Sequence, residues 1–156
     1  MSKHVIKFAI VLAFIGAYSI GASARAGTDI EIAAALKQYQ QAFNSGDIDA
    51  TMSAFTKNPV VLVPGYPTAV GYEAVRAVYE GQFRAIRFSI QFEIDEIQQL
   101  NKKWAFARTH SDGRKEILAT GTFVPGGNQE LFILSRSEAG KWKIARYAFS
   151  VARPGN

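Results

Sequence analysis

Residues 88–97 read FSIQFEIDEI, and this stretch decides the fold class. Phe88, Ile90, Phe92 and Ile94 alternate with polar residues, and this period of two predicts a strand with one buried face. The same period continues toward the C-terminus, so the second half of the chain is predicted to form an antiparallel sheet of about five strands. The further runs that carry it are residues 104–111, 115–124, 130–137 and 142–151.

Glycine-containing turns separate the predicted strands. Asp112 and Gly113 predict a hairpin turn over residues 111–114, because glycine supplies the positive φ that a tight turn requires. A Gly-Gly pair at 126–127 and an Ala-Gly pair at 139–140 predict the next two turns.

Upstream of the predicted sheet, the hydrophobic period changes to that of a helix. Apolar residues recur at steps of three and four over residues 29–45, which predicts the first helix. A second, short helix is predicted over 48–55, with Asp47 as its N-cap. The β-branched run at 60–63 predicts a strand, and a third helix is predicted over 71–86.

The order of these elements predicts an α+β fold. Three N-terminal helices precede a meandering antiparallel sheet, so the helices are expected to pack on one face of that sheet. A curved sheet that is covered in this way forms a cone with a concavity between helices and strands. Such a concavity is a natural site for a small ligand.

The N-terminal region predicts a targeting segment over residues 1–26. Lys3 and Lys7 form a basic start, residues 8–22 are uncharged and mostly apolar, and residues 22–26 contain two small-x-small cleavage sites. The apolar run is shorter than the roughly 20 residues that span a bilayer as a helix. We therefore expect an exported domain, residues 27–156, that is periplasmic or secreted and has no stable membrane anchor.

Composition excludes several classes of function. The chain has 18 basic and 13 acidic residues; removal of Lys3, Lys7 and Arg25 with the targeting segment leaves 15 against 13. This small excess, without a basic cluster, argues against nucleic acid as a partner. The chain has no cysteine and two histidines, of which His4 lies in the targeting segment. Neither a metal site nor a cofactor is therefore expected.

Several segments resemble the nuclear transport factor 2-like (NTF2-like) superfamily, which includes SnoaL-like polyketide cyclases and ketosteroid isomerases. The similarity covers about residues 29–151, nearly all of the predicted mature chain. It implies the cone-shaped fold, and among these proteins the chain looks most like small SnoaL-like domains of unknown function. The segments that carry it are NSGDIDA at 44–50, Gly71, residues 108–113, NQELF at 128–132, GKWKI at 140–144 and residues 142–150.

The resemblance to ketosteroid isomerases can be followed residue by residue. It implies that Tyr39 matches the helix-1 tyrosine that donates to the substrate oxyanion, and that Tyr79 matches a supporting tyrosine. The family's catalytic aspartate base is matched by Val63, and its second acid by Phe132. Valine cannot abstract a proton, so the resemblance implies a pocket without that base.

Three polar residues are candidates for catalysis. Period-two alternation places Glu130 beside Phe132 on a pocket-facing strand, where its carboxyl would act as a general acid or base or pair with Arg108 or Arg146. Arg108 and His110 share a strand face. Arginine can clamp a carboxylate or an enolate-like oxygen, and histidine can shuttle protons near neutral pH.

A larger set of mostly aromatic residues is a candidate for ligand binding. Its tyrosine hydroxyls would form a network at the pocket floor or be satisfied within an ordinary core. One tyrosine lies in a Pro-Gly-Tyr-Pro loop, which suggests the pocket mouth. The set is Tyr39, Val63, Tyr66, Tyr79, Phe83, Phe132, Tyr147 and Phe149.

Three functions remain open from the sequence. The first is a module that binds a small hydrophobic or amphipathic molecule. The second is a cofactor-independent isomerase, cyclase, dehydratase or hydrolase that uses Glu130, Arg108, His110 and Tyr39. The third is assembly as a homodimer, through outward sheet positions predicted to include Ile133, Ile144 and Leu118.

Overall fold

The computed structural model describes residues 17–151, with side chains from residue 25 onward. Three helices pack on one face of an open, curved and mostly antiparallel sheet, which confirms the predicted α+β fold class. The elements are α1 (Ala17–Ser45), α2 (Ile48–Ser53), β1 (Phe55–Leu62), β2 (Ala69–Val70), α3 (Tyr72–Ala85), β3 (Ile86–Gln99), β4 (Trp104–Ile117), β5 (Thr122–Pro125), β6 (Asn128–Arg136) and β7 (Trp142–Val151).

The sheet has the strand order β2-β1-β7-β6-β4-β3, and β5 pairs with β4 beyond this path. Strands β1 and β7 are parallel, whereas the other pairs are antiparallel. Alternation along β4 and β6 separates an inner face, which packs on the helices, from an outer face. Thr109, Ser111, Glu130 and Phe132 are buried on the inner face, and Arg108 is exposed on the outer face.

The hairpin turn predicted over residues 111–114 is wrong. Strand β4 continues through Asp112 and Gly113, and Gly113 lies opposite Ile90 of β3. Gly113 has φ 141°, and a Cβ there would lie 2.2 Å from the carbonyl oxygen of Ser89. Glycine is therefore needed for the close approach of two strands. The turn lies after Ile117 instead, where the predicted strand 115–124 is divided.

Strand β1 begins earlier than predicted. The predicted helix 48–55 ends at Ser53, and Phe55 already belongs to β1. Pro59 lies inside the strand, where the register with β7 shifts between Phe55 and Val60. Proline is tolerated at such irregularities because it has no N–H to donate to the ladder. Asp47 caps α2 as predicted, since its carboxylate accepts from the N–H of Ala50 at 2.9 Å.

Helix α1 is fixed to strand β3, at the edge of the sheet. The amide of Asn44 accepts from the N–H of Ile90 at 3.1 Å and donates to its carbonyl at 2.7 Å. Gln40 accepts from the N–H of Phe92 at 2.8 Å. These contacts satisfy backbone groups that an edge strand otherwise leaves free for another chain. They also set the position of α1 across the inner face.

The predicted targeting segment lies largely outside the described residues. Residues 1–16 are not described, and residues 17–26 continue α1, so the helix predicted over 29–45 begins earlier than expected. Arg25 donates to the side chain of Gln98 at 2.9 Å. Within residues 17–151, no helix is long and apolar enough to cross a membrane.

Candidate functional site

A cavity of about 200 Å³ lies between the helices and the inner face of the sheet. Its walls are mainly aliphatic and aromatic, and its polar groups come from tyrosine, glutamine, lysine and asparagine side chains. Among the described residues that line it, none carries a carboxylate. The lining consists of Tyr39, Phe43, Val61, Val63, Pro64, Val78, Tyr79, Gln82, Ile86, Phe88, Ile90, Lys115, Gly126, Asn128, Tyr147, Phe149 and Val151.

Three tyrosines meet at the inner end of the cavity. Helix α1 supplies Tyr39 and α3 supplies Tyr79, and their hydroxyl oxygens are 2.7 Å apart. Tyr147 of β7 lies next to them, and its hydroxyl has no hydrogen-bond partner among residues 25–151. Burial raises the pKa of each of the three phenols above its ordinary value. All three therefore stay neutral near pH 7 and can donate hydrogen bonds.

The aromatic rings below the cavity form a continuous cluster. Phe132 stacks on Tyr147 with ring centroids 4.4 Å apart and planes at 3°. Tyr39 makes an edge contact with Phe132 at 5.9 Å and stacks on Phe92. The cluster fixes the ring positions of Tyr39 and Tyr147. A rigid floor of this kind suits a preformed ligand site.

The predicted ligand-binding set divides into two groups. Tyr39, Val63, Tyr79, Tyr147 and Phe149 all line the cavity. The other three do not line it. Phe132 is fully buried beneath Tyr147, Phe83 packs against Phe43 and Phe88 at a neighbouring depression, and Tyr66 is 75% exposed on the loop after β1.

Glu130 is buried on the inner face, and its carboxylate is held by two hydroxyls. Thr109 donates to one oxygen at 2.6 Å and Ser111 to the other at 2.5 Å. Burial raises the pKa of the Glu130 carboxyl, against the lowering effect of these two hydrogen bonds. Neither Arg108 nor Arg146 pairs with it, so the predicted ion pair is replaced by hydroxyl donors. The residue does not line the cavity.

Arg108 and His110 lie on the outer face of the sheet. Both contact Asp95, Arg108 through its guanidinium at 2.9 Å and His110 through Nδ1 at 2.8 Å. Asp95 reaches them because β3 bulges between Ile94 and Glu96. Arg108 and Glu130 both border a shallow outer depression, but the Glu130 carboxylate points into the interior. The structure therefore does not bring the three predicted catalytic residues together.

Strand alternation is the physical reason for this separation. Residues 109 and 111 of β4 face inward, so Arg108 and His110 face outward, and Thr109 rather than Arg108 is paired with Glu130. Three polar lining residues, Gln82, Lys115 and Asn128, were not predicted. Asn128 lies two residues before Glu130 and thus shares its face. Lys115 was missed because the turn predicted over residues 111–114 separated it from Ser111, so the two residues were not assigned to the same face of one strand.

Comparisons with known proteins agree with the fold. The profile of the SnoaL-like domain family matches residues 36–143. A ketosteroid isomerase-like protein from Erwinia carotovora atroseptica SCRI1043 is 39% identical, with a TM-score of 0.75 over 79% of this chain and 95% of that chain. Among curated proteins, none matches the chain.

Two more distant structures share the fold alone. A conserved protein from Planctomyces limnophilus DSM 3776 is 23% identical, with a TM-score of 0.71 over 78% of this chain and 94% of that chain. An NTF-2 like protein of unknown function from Shewanella oneidensis MR-1 is 21% identical, with a TM-score of 0.66 over 80% and 98%. The resemblance expected from the sequence is thereby confirmed, and the chain belongs to the SnoaL-like domain family, with the NTF2-like cone fold.

Proposed function

We propose that this protein binds a small amphipathic molecule in its inner cavity and does not convert it. The observation that carries the proposal is a preformed, largely apolar cavity with several polar groups directed at its contents. A dry engineered cavity of about 150 Å³ holds a benzene molecule. A volume of about 200 Å³ therefore fits one substituted ring or a short branched chain.

The character of the lining favours binding over turnover. Val63, which the family resemblance matches to the catalytic base, lines the cavity and has no proton-accepting group. The tyrosine hydroxyls remain protonated because burial raises the pKa of each. Proton abstraction requires a base within hydrogen-bond reach of the substrate. The described lining offers hydrogen-bond donors, the amide groups of Gln82 and Asn128, and apolar contact, which suit recognition.

The alternative is a cofactor-independent enzyme acting through Glu130, Arg108, His110 and Tyr39. That mechanism requires these groups to converge on one substrate. Arg108 and His110 contact Asp95 on the outer face, while Glu130 is held by Thr109 and Ser111 inside. Turnover of a bound carbonyl compound that Glu130→Gln abolishes would favour the enzyme over the binding module.

The binding proposal is tested with a cavity-filling variant and a matched control. Val63→Phe places a larger side chain in the cavity wall, whereas Val70→Phe makes the same change at a position that is 66% exposed on β2. A library of single-ring amphiphiles is screened by ¹⁵N NMR titration. We expect ligands of the wild type to lose at least tenfold in affinity with Val63→Phe and to keep it with Val70→Phe. Equal affinities for the three proteins would contradict binding in this cavity.

Export is a separate part of the proposal. The basic start, apolar run and small-x-small sites of residues 1–26 support removal of this segment during secretion. The N-terminus of protein recovered from a periplasmic or culture fraction should then lie between residues 23 and 28. Full-length protein confined to the cytoplasmic fraction would refute export.

We also propose that the protein forms a homodimer through the outer face of the sheet. Leu62, Ala148 and Leu131 lie side by side across β1, β7 and β6, and both leucines are more than 40% exposed. Ile133 lies on this face as expected. Ile144 instead faces inward at 2% exposure, because a register shift follows Ile133.

Sedimentation equilibrium tests the dimer directly. Leu131→Glu places a charge in the exposed apolar row and is expected to yield monomers. Leu100→Glu makes the same change at a position that is 59% exposed in the loop after β3, and should leave the dimer intact. A wild-type protein that is monomeric at micromolar concentration would refute the dimer.

A further inference from the structure

The cavity has a strongly asymmetric charge. Lys115 is the charged side chain among the described residues that line it. It belongs to β4, pairs with Phe88 of β3, and lies on the same inner face as Thr109 and Ser111. Its side chain is partly buried and lines the cavity. Any bound molecule is therefore exposed to one positive charge.

Lys115 has no partner within the described part of the chain. It forms no ion pair or hydrogen bond with residues 25–151, while neighbouring Glu116 is engaged by Arg87 on the opposite face at 2.7 Å. A partly buried ammonium without a counter-ion is costly, because the cavity replaces part of its hydration. The ammonium group is thus available to an anionic ligand group.

Gly126 leaves room for the lysine side chain. A Cβ at this buried position would lie 3.1 Å from Cγ and 3.3 Å from Cε of Lys115. The absence of a side chain at 126 leaves a channel through which the lysine stem passes. The same segment is fixed to β4, since the N–H of Gly126 donates to the carbonyl of Gly113 at 3.0 Å. The backbone at Gly113 and Gly126 therefore keeps the space that the lysine stem occupies.

A second unsatisfied polar group lies close by. The side-chain oxygen of Asn128 is buried and has no hydrogen-bond partner among the described residues. Asn128 lines the same cavity and follows Gly126 by two residues, a separation of about 7 Å along an extended chain. Because an unpaired buried acceptor is costly, the site is completed by a ligand that brings a hydrogen-bond donor.

On the basis of the function proposed above, we infer that the ligand class is a small apolar acid that also carries a hydroxyl. Its carboxylate or other anionic group binds the Lys115 ammonium, and its hydroxyl donates to the Asn128 side chain. The ring or chain between them fills the space lined by Val61, Val63 and Tyr147. A single-ring hydroxy acid has the required size.

The charge requirement is tested with two probes of nearly equal shape. The probes are 4-hydroxyphenylacetate and its neutral amide, 4-hydroxyphenylacetamide, and their Kd values are measured by ¹⁵N NMR titration of the full-length protein. We expect the wild type to bind the acid at least about tenfold more tightly than the amide, equivalent to about 1.4 kcal/mol.

Two lysine variants assign the effect to one residue. Lys115→Met keeps the stem and removes the charge, so the affinity for the acid should fall by at least about tenfold and its preference over the amide should disappear. Lys102→Met removes a charge from an exposed position in the loop after β3 and should keep the preference. Retained amide binding by Lys115→Met shows that the cavity of this variant is intact.

The hydroxyl requirement is tested by comparison with phenylacetate. Wild-type protein should bind phenylacetate several-fold more weakly than the hydroxy acid, and Asn128→Ala should remove that difference. Equal Kd values for acid and amide in the wild type would overturn the anion assignment and leave the binding function standing. Persistence of the acid preference in Lys115→Met would overturn the role of this residue. Binding of neither probe would overturn the ligand class, whereas the proposed function is decided separately by the library screen with Val63→Phe and Val70→Phe.

Discussion

The tyrosine pair at the end of the cavity gives the sharpest prediction about how the site is built. Tyr39 and Tyr79 are 1% and 2% exposed, and their hydroxyls are 2.7 Å apart. Tyr39→Phe removes one hydroxyl and leaves the other without this partner. A typical hydrogen bond contributes about 1 kcal/mol net, and a buried polar group left unsatisfied costs about 1–3 kcal/mol. We therefore expect the free energy of unfolding to fall by about 1–3 kcal/mol.

A double-mutant cycle separates the hydrogen bond from the loss of each hydroxyl. Replacing Tyr79 with Phe in the Tyr39→Phe background removes the remaining unsatisfied group, so the second change should cost less than it does alone. We expect a coupling energy of about 1–2 kcal/mol between the two sites. Tyr66→Phe is the matched control, because Tyr66 is 75% exposed and its replacement should change stability by less than about 0.5 kcal/mol.

Urea denaturation followed by far-UV circular dichroism measures these free energies. The slope of free energy against urea should be the same in all variants, so that midpoints report stability alone. Two results would refute the reasoning. A Tyr39→Phe cost within about 0.5 kcal/mol would mean that water in the cavity already satisfies Tyr79. Strict additivity of the two changes would mean that the hydroxyls do not form a bond.

Three further predictions concern the core, the buried acid and the sheet register. Phe132→Ala should cost about 3–5 kcal/mol in urea denaturation, because this fully buried ring stacks on Tyr147, and a loss below about 1 kcal/mol would contradict its central position. Burial holds the pKa of the Glu130 carboxyl in the folded state above the ordinary 4.5. Between these two pKa values the folded state retains a proton that the unfolded state releases, so stability is lost as pH rises through this interval. Relative to the wild type, Glu130→Gln should therefore gain stability as pH rises from 4.5 toward the higher pKa of the folded state, and a constant difference would argue against a desolvated carboxyl. Gly113→Ala should destabilise by more than about 2 kcal/mol because its Cβ would meet the Ser89 carbonyl at 2.2 Å. Gly81→Ala in α3, where the added Cβ meets open space, should instead stabilise by about 0.5–1 kcal/mol; thermal melts that rank the two glycine variants together would show that the β3–β4 register is wrong.

Local sequence patterns were sufficient for the type and order of most elements. The run Phe88–Phe92 alternates because one sheet face is buried, and Asp47 caps α2 through a contact only three residues away. Strand β7 was predicted over the range that it occupies, Trp142–Val151. These features depend on the period of apolar side chains and on hydrogen bonds between residues close in sequence, so they can be predicted from the sequence.

The Asp112-Gly113 pair shows where local patterns fail. The same dipeptide serves a tight turn and a close strand crossing, and only the neighbouring strand distinguishes them. Here the carbonyl of Ser89 excludes a side chain at 113, so β4 continues and Lys115 remains on the inner face. Because the turn was predicted at the wrong place, Lys115 was not recognised as one of the polar groups of the site.

For the candidate site, the sequence by itself determined which residue types were present, and the tertiary structure decided which of them meet. The aromatic residues Tyr39, Tyr79 and Tyr147 were identified as pocket candidates, partly through the family resemblance, and they do line one cavity. Glu130, Arg108 and His110 were grouped by chemistry, but strand alternation and the bulge at Asp95 place them on opposite faces. The reason is physical: the period of a strand fixes which of its own residues share a face, whereas pairing between strands fixes which residues of different strands meet on that face.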